Sequence, residues 1–254
     1  LAGIWNHHIG LTLDEFPSAP MSPEGSSYLS VLYNGMVHPF TIFPVKGVIW
    51  YQGEANVGRA RQYSLLFQSL IADWRKQWKQ ELPFYFVQLA NYLRSQEIQP
   101  DSKWAALREA QSDALSMEGT GMVSAIDLGV AHDIHPKNKQ EVGRRLALLS
   151  LANTYQRGTY DVPAFLEYRI SGNKLILSFD CEVKTTTGEP KGFIIAGPDQ
   201  VFYQATATIQ GKEVILESPE VEIPIAARYG WADNPECNLY GTAGLPVAPF
   251  RTDK

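Results

Sequence analysis

The chain has 254 residues, 44% of them hydrophobic and 19% charged, an ordinary globular balance with room for one or two domains. The net charge of -5 gives no basic surface for nucleic acid. No apolar run approaches the roughly 20 residues that span a bilayer, and no signal-peptide pattern is visible.

The chain starts Leu1-Ala2-Gly3, without Met, and reads as trimmed or as cut from a longer protein. Residues 10–30 hold Pro17, Pro20, Pro23, Gly25 and several Ser, and read as a loop. Val45–Tyr51 reads as a buried strand. Tyr63, Leu66, Phe67, Leu70, Ile71, Trp74 and Trp78 recur at helical spacing and place one apolar stripe on a long helix. Pro83–Leu89 is a second strand, Trp104–Met117 a second helix, Met122–Asp127 a third strand and Lys137–Tyr155 a third helix. Strands alternating with helices imply βαβ units, hence an α/β fold with a parallel sheet flanked by helices. The pattern changes near residue 160. Tyr168–Ile170 and Leu175–Phe179 flank a turn, as do Gln204–Ile209 and Glu213–Leu216, so a small antiparallel β region is expected over residues 161–254.

In open α/β sheets ligands bind beyond the carboxyl ends of the strands. Three loops leave such ends: Gln52–Asn56, Ala90–Lys103 and Asp127–Pro136. In the third, Asp133 precedes His135 at a distance along the chain that lets a carboxylate reach the imidazole. A general base needs such a partner to fix its tautomer and stabilise its protonated form. Pro136 suits the first position of the helix that follows. Asp133 and Pro136 also fit a plain helix cap, with His135 a bystander. In the first loop, Gln52 stands at a strand end where an amide can face a site. Gly53 permits an unusual backbone angle, and with Asn56 the loop has the donor chemistry of an oxyanion hole. Glu54 and Asn56 also fit a strand-to-helix turn. Glu54 and Arg108 are expected to pair and hold the Gln52 loop.

His7, His8, His132 and His135 match no zinc spacing, and no phosphate loop or dinucleotide fingerprint occurs, so neither a metal nor a cofactor is expected. Cys181 and Cys237 fit either a disulfide or two free thiols.

Several stretches in order now carry a resemblance: Tyr33-Asn34-Gly35-Met36, Gly47-Val48-Ile49-Trp50-Tyr51-Gln52-Gly53-Glu54-Ala55-Asn56, Trp74-Arg75 and Leu107-Arg108-Glu109-Ala110-Gln111. Asp133-Ile134-His135-Pro136 and Arg228-Tyr229-Gly230-Trp231-Ala232-Asp233 complete the set. Together they resemble the sialate O-acetylesterase family of SGNH hydrolases over nearly the whole chain. The resemblance implies an SGNH-hydrolase-like, flavodoxin-like sheet. It also implies a serine hydrolase that removes O-acetyl groups from sugars, sialic acid first and xylan as the alternative, with no cofactor. It gives His135 the base role, Asp133 the orienting role and Gln52 an oxyanion role. The wider superfamily spaces its Asp and His three positions apart and the step here is two, so Asp127 is the reserve partner.

The family nucleophile lies in a Gly-Gln-Ser-type segment, and none occurs here. Gly25-Ser26-Ser27 has no strand before it, which a nucleophile elbow requires. Residues 1–160 are therefore expected to be an esterase domain incomplete at its N-terminus, with a missing N-terminal segment as the partner that carries the serine. The chain alone is expected to be inactive. A non-catalytic fragment or sugar-binding module is the alternative of another class. By resemblance the compartment is secreted, periplasmic or lysosomal.

Overall fold

The structure, a computed structural model, describes residues 28–253. His7, His8, Gly25-Ser26-Ser27 and nearly all of the proline- and serine-rich segment lie outside them.

Three parallel strands, β1 (Val48–Trp50), β2 (Phe84–Gln88) and β3 (Thr120–Ser124), lie in the order β1-β2-β3. They connect through α1 (Ala60–Trp78) and α2 (Lys103–Ser112), and α3 (Lys139–Asn153) follows β3. Successive side chains of a strand point to opposite faces, and β2 is buried on both. Phe84 and Phe86 pack with Tyr63, Phe67 and Ile71 of α1 and with Trp104 and Leu107 of α2. Tyr85 and Val87 pack instead with Val142, Leu146 and Leu149 of α3. The chain is thus an α/β protein whose parallel sheet has helices on both faces.

The elements differ from expectation chiefly at their ends. β1 pairs only from Val48, whose N–H donates to the Pro83 carbonyl at 2.8 Å. β3 begins at Thr120 and ends at Ser124, because a turn closed by Leu128 N–H to Ala125 O carries Asp127 off the sheet. α2 stops at Ser112 and tightens into a 3-10 turn, Asp113–Ser116. α3 begins at Lys139, capped by the Asn138 side chain, which accepts the Glu141 N–H at 3.1 Å. Pro136 therefore precedes the cap and does not occupy the first helical position.

The antiparallel part starts at β4 (Phe165–Ser171), which forms a hairpin with β5 (Lys174–Phe179). After β6 (Val183–Thr185) come β7 (Phe193–Ala196) and β8 (Phe202–Gln204), and then β9 (Thr206–Gln210) with β10 (Glu213–Glu217). The strand expected over Gln204–Ile209 is two strands. β8 joins a sheet of order β13-β11-β7-β8 and β9 one of order β4-β5-β10-β9, with the chain changing sheets at Ala205. β11 (Ala226–Tyr229), β12 (Leu239–Gly241) and β13 (Phe250–Arg251) complete the set, and β12 pairs with β6. Leu175, Leu177, Val214 and Leu216 of one sheet bury against Phe193, Ile195, Ala227 and Tyr229 of the other.

Candidate active site

The loop after β1 turns at Gly53, whose φ of 154° is one that side chains with a Cβ rarely adopt. A Cβ there would also stand 3.2 Å from Gln111 Nε2 and 3.3 Å from Leu107 Cδ2. Helix α2 holds this loop closely: Gln111 Nε2 donates to the Gln52 carbonyl at 3.1 Å while its Oε1 accepts the Leu89 N–H at 2.9 Å. Tyr63 of α1 donates to the same Gln52 carbonyl at 3.1 Å. The half-buried Gln52 side chain donates through Nε2 to Asn56 Oδ1 at 2.8 Å, so its amide is oriented by the next turn of its own loop. The Lys139 ammonium lies 4.9 Å from the centroid of the Tyr51 ring.

The loop after β3 carries Asp133 and His135. Ile134 is partly buried against the cluster that contains Trp50, Tyr51 and Val57, which turns its neighbours outward. The His135 side chain is 86% exposed. Asp133 Oδ1 accepts the His135 backbone N–H at 2.9 Å and lies 3.7 Å from Nδ1 of the ring. That is ion-pair distance, longer than a hydrogen bond. The His135 amide, and secondarily nearby Lys137, hold the Asp133 carboxyl below its ordinary pKa. Asp127, the reserve partner, is engaged elsewhere. Arg145 grips it with two bonds of 2.7 Å, and Tyr240 donates to its Oδ2 at 3.0 Å. Burial disfavours the Arg145 charge, but Asp127 and Glu141 together raise its pKa above the ordinary value.

The Glu54–Arg108 pair does not form. Arg108 is fully buried and donates to four backbone carbonyls: Leu89 and Ala90 at 2.9 Å, Ala232 at 2.8 Å and Asp233 at 2.9 Å. A guanidinium presents donors in a rigid fork that suits several acceptors at once. Burial lowers its pKa to about 9, which leaves it charged at neutral pH. It joins the end of β2 to the Arg228–Asp233 stretch of the antiparallel part. Glu109, next to it, binds Arg251 with two bonds of 3.0 and 2.8 Å. Sequence reasoning missed Gln111, Arg145 and Tyr240. For Gln111 a signal existed, a polar residue on the buried face of an amphipathic helix; for the other two there was none.

Among the described residues no group of His, Cys, Asp and Glu is arranged to hold a metal, and no helix is long and apolar enough to cross a membrane. Cys181 and Cys237 are free thiols, and burial pushes that of Cys237 up to about 12. A groove of about 490 Å³ lies between Ser95–Glu97 and Lys191, Gln204, Trp231 and Glu236. None of the candidate site residues lines it.

Residues 20–152 match the model of a family described as carbohydrate esterase, sialic acid-specific acetylesterase. The chain is 31% identical over 257 aligned positions to the sialate O-acetylesterase of Mus musculus, covering 89% of this chain and 48% of the relative. Against the Homo sapiens sialate O-acetylesterase the identity is 29%, covering 90% and 50%. A carbohydrate acetylesterase of known structure from Xanthomonas citri is 45% identical with a TM-score of 0.84, over 88% of this chain and 54% of that one. The chain therefore spans about half the length of the curated relatives it matches.

Proposed function

Because the chain belongs to the carbohydrate esterase family of sialic acid-specific acetylesterases, we propose that it is the base-bearing part of a serine esterase that removes O-acetyl groups from sugars. The observation that carries this reading is the solvent-facing His135 ring beside Asp133, on a loop at the carboxyl end of a parallel sheet. His135 takes the proton of a serine hydroxyl as that oxygen attacks the acetyl carbonyl, and returns it to the leaving sugar oxygen. Asp133 holds the imidazole and its charge. The Gln52 amide, fixed by Asn56 and by the turn at Gly53, donates to the oxyanion.

On this reading residues 1–160 form the esterase domain and 161–254 a β-rich region that supports it. The nucleophile comes from a further segment of polypeptide. Ile49, in the middle of β1, is 67% exposed, and β1 is an edge strand among the described residues. That open edge is where such a segment would pair. An extracytoplasmic compartment, whether secreted, periplasmic or lysosomal, suits a substrate of sugar esters.

Two substrate classes remain in play. Sialic acid is favoured by the family description, and acetylated xylan is the alternative, since the 45% identical protein of known structure is named only a carbohydrate acetylesterase. The test is hydrolysis of p-nitrophenyl acetate, then of acetylated sialic acid and acetylated xylan, by this chain and by the complete polypeptide. The expected result is turnover by the complete polypeptide only, lost in His135→Ala. Full activity of His135→Ala would overturn the reading.

A further inference from the structure

Besides the grip of Arg145 from α3 on Asp127, the loop that carries His135 has two anchors that lead to the antiparallel part. The first runs through Asn91, in the loop after β2. Its Oδ1 accepts the Gly129 N–H at 2.7 Å, and its Nδ2 donates to Asn234 Oδ1 at 2.6 Å. Asn234 follows β11, and its own Nδ2 donates to the Leu93 carbonyl at 2.7 Å. Backbone contact at this junction is close: a Cβ on Gly129 would stand 1.8 Å from the Asn91 carbonyl oxygen. From Gly129 the path continues along the loop. Val130 and Asp133 form an isolated antiparallel bridge with Asp133 N–H to Val130 O at 3.3 Å, and Asp133 Oδ1 accepts the His135 N–H at 2.9 Å. The second anchor is Tyr240 of β12, which donates to Asp127 where the chain leaves β3.

We infer that Asn234 and Tyr240 of the antiparallel part are positioning residues for the His135 loop, acting through Asn91 and Asp127. Neither touches the imidazole. Their role follows from what the loop lacks. Residues 127–135 form no helix or paired strand beyond the one bridge, and the His135 side chain is exposed, so packing on the ring itself does little to hold it. Precise placement of a base needs a supporting layer of hydrogen bonds. Here that layer comes from residues far away in sequence. The idea deepens the proposed esterase reading and rests on it for its functional half; the structural half stands alone.

The structural half is tested by amide hydrogen exchange on this chain. In Asn234→Leu and Tyr240→Phe, exchange at Gly129, Asp133 and His135 should accelerate roughly three- to tenfold, the range for losing one net hydrogen bond, while β2 and β3 amides keep their rates. Asn234→Asp keeps the oxygen that accepts from Asn91 and should restore most of the protection at Gly129. Unchanged loop exchange, or equal acceleration throughout the sheet, would overturn the inference. The functional half is read in the complete polypeptide as a kcat loss of about tenfold with KM within about twofold, again restored by Asn234→Asp. A loss confined to KM overturns that half. If His135→Ala is fully active while the loop amides respond as stated, the esterase reading fails and the anchoring stands.

Discussion

Asp133 Oδ1 accepts the His135 backbone N–H at 2.9 Å and lies 3.7 Å from Nδ1 of the same residue's ring. One oxygen thus fixes the His135 backbone and faces its imidazole. The bond to the amide depresses the Asp133 pKa, which on the proposed reading favours a charged carboxylate that stabilises the imidazolium without taking its proton. In the complete enzyme His135→Ala should lower kcat by about 10³-fold or more. Asp133→Asn keeps an oxygen for the amide and loses the charge, and should lower kcat by about 10⁴-fold, no more than His135→Ala does. Steady-state kinetics on an acetyl ester decide. An Asp133→Asn enzyme as active as the parent would remove Asp133 from the mechanism.

Gln52 should contribute through the transition state. One N–H of its amide is committed to Asn56 Oδ1, which leaves the other to face an oxyanion. Gln52→Ala is expected to lower kcat by roughly 10²–10³, the usual cost of one oxyanion donor. Asn56→Ala leaves the donor but frees its rotation, and a loss of about tenfold is expected. If Gln52→Ala changes KM alone, the residue binds substrate in the ground state and has no oxyanion role.

The alternating layers were legible because burial dictates their pattern. β2 is sealed on both faces and reads as a continuous apolar run, and the Tyr63–Phe67–Ile71 stripe of α1 repeats at helical spacing. Element ends were less legible, since they depend on single bonds such as Asn138 to the Glu141 N–H and the turn that stops β3. The split of β8 from β9 was hidden because one apolar alternation runs through both strands and only the change of sheet at Ala205 separates them. For Arg108, charge alone suggested an acidic partner. Its true partners are four carbonyls, two of them on residues 232 and 233, and its charge and its place beside the Glu54 loop say nothing of that.

Arg108 should therefore matter to stability far more than an exposed ion pair would. Replacing it with Met removes a charge that burial disfavours but also orphans carbonyls at the junction of β2 with the antiparallel part. Arg108→Met is expected to cost about 3–5 kcal/mol in urea unfolding, from several buried carbonyls that lose their donor at about 1–3 kcal/mol each. Arg108→Lys keeps the charge without the fork and should fall between. A cost below about 1 kcal/mol for Arg108→Met, the range of a surface pair, would show that the buried fork is dispensable.

The Glu141 cluster predicts an acid-side loss of stability with a definite sign. Arg144 binds Glu141 with two bonds of 2.7 Å and Arg145 adds one of 2.9 Å. These arginines, Arg144 foremost, pull the Glu141 pKa from 4.5 to about 2. A carboxyl whose pKa is depressed by folding stabilises the folded state above its unfolded pKa, and that contribution is lost as pH falls through the folded value. The window is thus about pH 4.5 down to about 2. Protonating Glu141 also releases Arg145 Nε, one of the contacts that orient the guanidinium on Asp127 at the base of the His135 loop. Glu141→Gln should be less stable than the parent at pH 7, and the two urea midpoints should converge as the pH approaches 2. Loop amides from Gly129 to His135 should exchange faster in the variant at neutral pH. Parallel midpoint curves over the whole window would mean that Glu141 titrates alike in the folded and unfolded chains and that the arginines do not hold it.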